Sequence, residues 1–356
     1  MKTDILVSKT DIRQTEISQS ELCDPKDGDA VLAIEGFALT TNNVTYAATG
    51  PVIGYWKFFP TGHKGMGIVP AWGFARVLRS ASAQLNAGDR LYGFVPMSSH
   101  LTIRPSAKGV NVRDVAPHRL DLPPVYNIYR RAGDSPPGDD ALRSIFAPLL
   151  ITSYLLFDFL KDNGWFGAEQ IIIGSASSKT GLGLARFLDE ARPERPEVVA
   201  LTSRTNKAFV NALGTCDQVA TYDALETEIA RRPSVYVDMA GNADVRTRLH
   251  HHLGDHMKHS AAVGTSHWDR FEPTSDLPGA RPRFFFAPAQ VEKRRADWGS
   301  AAVDQRLEAA WSRVARESSR WMTIAHSHGL GAASDVYRTL ASGKVDPAQG
   351  HYINLV

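Results

Sequence analysis

A run of small residues between a strand-like segment and a helix-like segment carries the clearest chemical signal in the sequence. Residues 171–188 read IIIGSASSKTGLGLARFL, which is an apolar run, a glycine- and serine-rich turn, and an apolar pattern at helical spacing. Small residues let the backbone approach a phosphate, and a helix N-terminus offers free N–H groups and a partial positive charge. We therefore predict that the turn binds the pyrophosphate of a dinucleotide. Its predicted ligands are Ser175, Ser177, Ser178, Lys179, Thr180 and Gly181.

The next predicted strand, residues 197–203, indicates which dinucleotide would bind. Sites for NAD(H) usually place an Asp or Glu at the end of this strand, where it binds the ribose hydroxyls. Here the chain continues with Ser203, Arg204 and Lys207, and no acid is present. A guanidinium can stack on adenine and pair with a 2′-phosphate, so these residues favour NADP(H) over NAD(H). The alternatives are a structural Ser/Gly turn without a cofactor and an arginine that is merely solvated.

Strands and helices alternate around this turn, which predicts a parallel, doubly wound sheet of the Rossmann type. Ligands bind at the carboxyl ends of the strands in such sheets. Gly264 and Thr265 follow a predicted strand, so we expect them near the nicotinamide, with His267 and Trp268 near the substrate. The predicted strands are residues 170–175, 197–203, 218–223, 234–241 and 259–266.

The segments before and after this alternating region have different predicted secondary structure. The first 115 residues are rich in predicted strands, and residues 130–142 read as an exposed loop. A mostly apolar helix broken near Pro148 follows. Apolar residues at helical spacing predict one long helix over residues 301–329, and the tail predicts a short helix, a turn and a last strand.

Composition excludes several classes of function. The net charge is +2, from 40 basic and 38 acidic residues, which gives no support for nucleic acid or an anionic membrane as a partner. No apolar run approaches the roughly 20 residues that span a bilayer, and the N-terminus lacks the apolar stretch of a secretion signal. Cys23 and Cys216 are the only cysteines, so neither a disulfide framework nor a cysteine zinc site is expected. A cytosolic location is the default expectation.

An ordered set of blocks along the chain resembles the medium-chain dehydrogenase/reductase superfamily, in particular its zinc-free quinone and enoyl reductases. The resemblance implies a GroES-like β-barrel domain over residues 1–145, completed by about 285–356, and a Rossmann NADP-binding domain over 146–284. It also implies an active site in the cleft where the nicotinamide meets the barrel domain, and a homodimer. The blocks are LNAGDRLYGF (85–94), FAPLLITSYLLFDFL (146–160), SASSKTGLGLA (175–185), residues 202–223, VYVDMAG (235–241), HSAAVGTS (259–266) and residues 337–354.

The same resemblance bears on metal binding. Trp72 falls where the zinc enzymes of the superfamily have a ligand histidine, and His63 has no partners nearby in the sequence. Residues 252, 256 and 259 are histidines that can share one helical face, but a solvated histidine-rich helix end is the favoured interpretation. We predict no metal.

The resemblance also identifies candidate catalytic residues. Tyr46 occupies the tyrosine position of a conserved stretch of the family, and Tyr55 is a possible equivalent of the tyrosine that enoyl thioester reductases place beyond it. The two tyrosines remain alternatives for the proton donor or carbonyl anchor, and Asn43 can bind the substrate or the nicotinamide ribose. Trp56 and neighbouring aromatic residues indicate an apolar carbonyl substrate.

Together these features predict an NADPH-dependent, zinc-independent reductase that transfers hydride to an enone, enoyl or quinone substrate. The alternative is a non-catalytic NADPH-binding redox sensor or a structural homologue of such reductases, which keeps the cofactor turn but needs no hydrogen-bond donor for a substrate.

Overall fold

The computed structural model describes residues 1–136, 138–264, 276–343 and 345–356. In these residues the chain forms two compact units: a first unit of Met1–Ile145 with Thr323–Val356, and a second unit of Phe146–Met322. The sequence placed the return to the first unit at about residue 285, whereas the structure places it at 323. The reason is burial, because Phe285, Val303 and Leu307 lie in one apolar core with Leu155 and Ile171 of the second unit.

The described strands and helices are numbered in chain order. The strands are β1 (Lys2–Ser8), β2 (Thr15–Ser20), β3 (Ala30–Leu39), β4 (Met66–Gly67), β5 (Pro70–Ser80), β6 (Arg90–Pro96), β7 (His100–Ile103), β8 (Pro105–Lys108), β9 (Asn111–Asp114), β10 (Ile128–Arg131), β11 (Gln170–Gly174), β12 (Glu197–Thr202), β13 (Gln218–Thr221), β14 (Ser234–Asp238), β15 (Met257–Ala262), β16 (Pro282–Phe284), β17 (Thr323–His328) and β18 (Gln349–Asn354). The helices are α1 (Thr41–Ala48), α2 (Gly50–Ile53), α3 (Asp139–Asp162), α4 (Lys179–Asp189), α5 (Arg204–Ala212), α6 (Leu225–Glu228), α7 (Ala243–Leu253), α8 (Ala287–Trp298), α9 (Ser300–Glu317) and α10 (Gly329–Ala341).

The first unit is built on two mainly antiparallel sheets. The smaller has the order β2-β1-β4, and the larger runs β17-β18-β3-β5-β6-β10-β9-β8, with β7 also paired to β3. Helix α1 begins at a capping box, in which the Thr40 hydroxyl accepts the Asn42 N–H at 3.2 Å and the Asn43 side-chain oxygen accepts the Thr40 N–H at 2.8 Å. This cap fixes the start of α1 and therefore the position of Tyr46 on the helix.

The second unit is a parallel sheet in the order β13-β12-β11-β14-β15-β16. This order reverses direction between β11 and β14, where Gly174 is paired with Asp238 at the carboxyl ends of the two strands. Alternate residues of β11 point to opposite faces: Ile171 and Ile173 lie in one buried cluster and Ile172 in another. The doubly wound sheet predicted from the sequence is confirmed.

Two sequence predictions about helices need correction. Pro148 lies inside the continuous helix α3, because burial of Phe146 and Leu150 around it outweighs the one helical hydrogen bond that proline removes. The helix predicted over 301–329 ends at Glu317, and residues 323–328 form β17 because they pair in parallel with β18.

The expectation that no apolar run approaches the length needed to span a bilayer is wrong for α3, which is long and apolar enough by length and composition. However, 61% of its most apolar window is buried inside the structure, which is the pattern of a core helix.

Candidate functional site

The turn between β11 and α4 has the geometry of a phosphate cradle. Ser178 is the N-cap of α4, and its hydroxyl accepts the Gly181 N–H at 3.1 Å. The N–H group of Thr180 belongs to the first helical turn, so no carbonyl within α4 can accept its hydrogen. At Gly181 an added Cβ would lie 2.9 Å from the Ser175 carbonyl oxygen, so only glycine fits there. The turn is tight, small and amide-lined.

Ser175 occupies a backbone position that normally calls for glycine. Its φ is +53°, in the left-handed region, where a side chain costs about 1–2 kcal/mol. The strained turn is held by the residue that follows β13, because the Ser175 N–H donates to the Tyr222 hydroxyl at 3.1 Å. Burial raises the pKa of Tyr222 to about 12, so this hydroxyl stays protonated.

Ser177 ties the turn to the strand and helix that follow. Its hydroxyl oxygen accepts from the Thr202 hydroxyl at 3.3 Å and from the Asn206 amide at 3.0 Å. With two bonds accepted, the remaining hydrogen-bonding capacity of Ser177 is its own hydrogen. A phosphate oxygen is a suitable acceptor for that hydrogen.

The residues predicted to bind the adenosine part of the nucleotide lie at the start of α5. Ser203 is the N-cap and accepts the Asn206 N–H at 3.3 Å. The Arg204 side chain is 82% exposed, and its guanidinium lies 3.5 Å from the Asp223 carboxylate. Lys207 is already paired, because its ammonium lies 2.9 Å from the Glu228 carboxylate. Arg204 is thus the more open of the two predicted bases.

Tyr222 and Asp223 were missed by the sequence analysis. The predicted adenosine-binding residues all follow β12, whereas Tyr222 and Asp223 follow β13, which is paired with β12 in parallel. Since carboxyl ends of parallel strands meet at one edge, the order of strands could have identified them. An acid is therefore present beside Arg204 after all.

At the carboxyl end of β14, beside the point where the strand order reverses, lies Asp238, which is only 2% exposed. Its carboxylate accepts the backbone N–H groups of Ala240 and Gly241, at 3.1 and 2.8 Å. Its carbonyl oxygen accepts the N–H of Gly264 at 3.4 Å, which places this predicted cofactor residue beside the end of β14. The other residues predicted on this side, Thr265, His267 and Trp268, lie outside the described residues.

The first unit contains a packed group of aromatic rings that we call the tyrosine cluster: Tyr46, Tyr55, Trp72, Phe94 and Tyr126. The Trp72 indole N–H donates to the Tyr46 hydroxyl at 3.0 Å, and the hydroxyls of Tyr55 and Tyr126 are 2.7 Å apart. Burial raises the pKa of all three tyrosines above the ordinary range. The cluster therefore offers protonated hydroxyl groups, which can donate hydrogen bonds.

The structure brings Tyr46 and Tyr55 together, with ring centroids 4.6 Å apart. The Asn43 side chain, by contrast, hydrogen-bonds to backbone groups. The Asn43 carbonyl oxygen accepts the Thr40 N–H at 2.8 Å and its amide donates to the Pro70 carbonyl at 2.8 Å. Both ends of this side chain are committed to the fold.

Trp56 is 7% exposed and packs against two glycines. A Cβ at Gly50 would lie 2.2 Å from its ring nitrogen, and one at Gly67 would lie 2.3 Å from its ring. The structure therefore places Trp56 mainly in packing.

The histidines considered as metal ligands have separate partners. His252 bonds to the Ile229 carbonyl at 2.8 Å, and His259 stacks on Phe166 with ring centroids 4.0 Å apart. Within the described ranges, no group of three or more His, Cys, Asp or Glu residues can hold a metal ion.

Comparisons with known proteins extend this description. A family model described as "Protein of unknown function (DUF2855)" matches residues 37–346. No curated protein sequence matches the chain.

Three solved structures illustrate the similarity of fold. CurA from Vibrio vulnificus, in complex with NADPH, has a TM-score of 0.65 at 11% identity, covering 100% of this chain and 99% of that chain. The YhdH oxidoreductase from Salmonella enterica, in complex with NADP, has a TM-score of 0.55 at 15% identity, covering 100% of both chains. The quinone oxidoreductase from Coxiella burnetii has a TM-score of 0.56 at 12% identity, covering 100% of this chain and 99% of that chain.

At these identities the likeness shows the fold. It confirms the fold predicted from the sequence, which is a GroES-like domain combined with a Rossmann domain.

Proposed function

We propose that this chain, which belongs to the DUF2855 family, is an NADPH-dependent oxidoreductase that reduces an apolar enone, enoyl or quinone substrate without a metal. The observation that carries the proposal is the strained, small-residue turn at Ser175–Ser178. It lies where the strand order reverses and it opens the 11-residue helix α4.

The residues of the turn fit a pyrophosphate. Because Gly181 has no Cβ, the start of α4 packs closely against the Ser175 carbonyl, which keeps the turn tight. First-turn N–H groups and the remaining hydrogen of Ser177 supply donors, and the helix N-terminus favours negative charge. Similar folds crystallised with NADPH or NADP support the choice of ligand.

NADPH over NADH is proposed on the basis of Arg204. Its exposed guanidinium can take a 2′-phosphate in two parallel hydrogen bonds, and Ser203 can add a donor. Lys207 reinforces the positive charge, although Glu228 partly neutralises it.

The proposed chemistry needs a hydrogen-bond donor for the substrate carbonyl. NADPH supplies the hydride when bound, and negative charge then develops on the carbonyl oxygen. The tyrosine cluster has hydroxyls that stay protonated, and Tyr46 and Tyr55 are the proposed alternatives for this donor. We assign Asn43 and Trp56 a structural role in this part of the fold, because Asn43 bonds to backbone groups and Trp56 packs against glycines.

We further propose a cytosolic homodimer, on the basis of the composition and the superfamily resemblance. Analytical ultracentrifugation of the purified chain checks the dimer. A monomer would leave the assignment of the cofactor site untouched but would remove the homodimer from the proposal.

The function is tested in two steps. First, the purified protein is titrated with NADPH and NADH, following nucleotide fluorescence and the melting temperature. Second, quinones, enals and enoyl thioesters are screened by the loss of NADPH absorbance. The absence of any NADPH effect at millimolar concentration would overturn the proposal. Binding without turnover of any substrate would instead support a non-catalytic NADPH-binding protein.

A further inference from the structure

We propose that the second unit contains a further small-molecule site, separate from the dinucleotide turn, which binds an aromatic amino acid. The site is a cavity of about 300 Å³, which we call the α3–α9 cavity. This volume lies at the lower end of the range for small-molecule sites and suits a ligand of amino-acid size. The residues that line it include Tyr154, Phe157 and Lys161 of α3, Phe187 of α4, Glu194 and Arg313 of α9.

The cavity lies at the opposite end of α4 from the phosphate cradle. Ser178 caps the start of this helix, whereas Glu190, which lines the cavity, is its C-cap residue. A helix rises about 1.5 Å per residue, so the two ends of α4 are about 18 Å apart. A ligand of amino-acid size in the cavity therefore does not reach the cradle. All of the lining residues belong to the second unit.

Three aromatic rings give the cavity an apolar wall. Phe187 is 3% exposed, whereas Tyr154 and Phe157 are half-buried. Tyr154 meets Phe187 edge to face, with ring centroids 5.5 Å apart, and Phe157 is tilted against Phe187 at 6.4 Å. A further ring can pack here against both the edge and the face of a neighbour, which are the arrangements that aromatic pairs prefer. The wall therefore favours an aromatic side chain over an aliphatic one.

Phe157 is also held by an unusual turn. Trp165 and Phe166 have φ values of +55° and +54°, and Gly164 and Gly167 on either side are left-handed as well. The Trp165 ring packs on Phe157, with centroids 6.1 Å apart. A left-handed backbone is unfavourable for bulky residues, and such strain is concentrated at binding and active sites. The turn supports a role for the Phe157 ring beyond filling the core.

Most charged residues of the cavity are already closely paired within the protein. The Arg313 guanidinium lies 2.5 Å from the Glu190 carboxylate. The Arg192 guanidinium, which also lines the cavity, lies 2.6 Å from each of the carboxylates of Asp189 and Asp217. These charges are neutralised without a ligand.

The remaining pair of the cavity, Lys161 and Glu194, is loose. The ammonium and the carboxylate are 3.9 Å apart, and the side chains are 54% and 77% exposed. An exposed pair of this kind contributes little to stability, so a ligand can replace it at small cost. The carboxylate of an amino acid can pair with Lys161 while its ammonium group pairs with Glu194. A ligand with a single charge would separate the pair and leave one of the two side chains without a partner.

Calorimetric titration of the full chain with matched ligands tests the proposal. We expect L-phenylalanine and L-tryptophan to bind. The analogues 3-phenylpropionate, which lacks the ammonium group, and phenethylamine, which lacks the carboxylate, should each bind about tenfold more weakly than L-phenylalanine. L-Leucine keeps both charges but has no ring, and should also bind about tenfold more weakly.

Two substitutions at exposed positions test which side chain pairs with which charge. Glu194→Gln should raise the Kd for L-phenylalanine about tenfold and leave that for 3-phenylpropionate unchanged, because this analogue has no ammonium group. Lys161→Gln should likewise raise the Kd for L-phenylalanine and leave that for phenethylamine unchanged. Glu226→Gln is the matched control, because it removes another exposed, paired acid of the second unit and should change none of these constants. The melting temperature of each variant checks that the fold is retained.

The inference does not depend on the proposed function, because binding is measured without nucleotide or substrate. If neither L-phenylalanine nor L-tryptophan binds at millimolar concentration, the proposal is wrong. Equal Kd values for L-phenylalanine and for either singly charged analogue, or for L-leucine, would also overturn it. So would an unchanged Kd for L-phenylalanine in both Glu194→Gln and Lys161→Gln.

Discussion

Arg204 and Asp223 approach each other to 3.5 Å from the ends of two neighbouring strands, β12 and β13. The guanidinium suits the 2′-phosphate of NADP(H), whereas the carboxylate suits the ribose hydroxyls of NAD(H) and repels a phosphate. Both groups are exposed, with 82% and 65% of their side chains accessible, so their mutual attraction is weak and a bound nucleotide can replace it. Cofactor preference therefore depends on the balance between these two residues.

Replacing either residue should shift the preference in opposite directions. We expect Arg204→Ala to raise the Kd for NADPH about tenfold or more, the size of one or two charge-assisted hydrogen bonds, and to change the Kd for NADH little. Asp223→Asn should lower the Kd for NADPH and raise that for NADH. Fluorescence titration measures all four constants. Arg248→Ala removes another exposed arginine that is paired with an acid, and should leave both constants unchanged. Equal losses for both nucleotides in Arg204→Ala would contradict the 2′-phosphate assignment.

The left-handed backbone at Ser175 predicts an unusual stabilising substitution. Ser175→Gly removes a side chain from φ +53° and should raise the free energy of unfolding by about 1 kcal/mol. Ser178→Ala is the contrasting variant, because it deletes the cap of α4 and should cost about 1 kcal/mol. Thermal unfolding compares them. A lower melting temperature for Ser175→Gly would indicate that the serine hydroxyl, rather than the backbone, determines the stability of this position.

Two glycines of α4 are predicted to differ in their effect on the cofactor. A Cβ at Gly181 would press on the Ser175 carbonyl oxygen at 2.9 Å, so Gly181→Ala should displace the turn and raise the Kd for NADPH about tenfold or more. A Cβ at Gly183 would instead meet Leu150 at 2.5 Å and the Ser153 hydroxyl at 2.6 Å. Gly183→Ala should therefore lower the melting temperature without a comparable change in Kd. Identical Kd values for Gly181→Ala and the wild type would argue against pyrophosphate binding at the turn.

The sequence predicted the second unit well because its signals are local. Strands β11, β12 and β14 are short, mainly apolar runs followed by a turn or helix start, and the alternation of strands and helices itself implies a parallel sheet. The positions of α9 and β17 could not be predicted in this way. Residues 323–328 form a strand only because β18 lies beside them, and that pairing joins segments about 26 residues apart in sequence.

The candidate site shows the same limit. Ser178 and Ser203 were identifiable because a helix N-cap is a local pattern. The contact of Trp72 with Tyr46 joins a strand to a helix 26 residues earlier, and no spacing rule encodes it. Asn43 was predicted as a ligand from its type, but its amide is used by the capping box and by the Pro70 carbonyl. Buried backbone N–H and C=O groups have no water to bond to, so nearby polar side chains are often used as their hydrogen-bond partners and are not available to a ligand.

The stability of the second unit should also depend on pH through His259. Burial, and secondarily the charge of Arg283, lowers the pKa of His259 to about 4, and its ring stacks on Phe166 at 4.0 Å. The unfolded chain therefore binds a proton at a higher pH than the native state, and the stability contributed by neutral His259 is complete above about pH 6.5. It is lost as the pH falls from there toward 4. His259→Phe keeps the stacking and should flatten the dependence of unfolding free energy on pH in this window, as measured by denaturant titration at several pH values. An identical slope in His259→Phe and the wild type would mean that other groups cause the acid loss of stability.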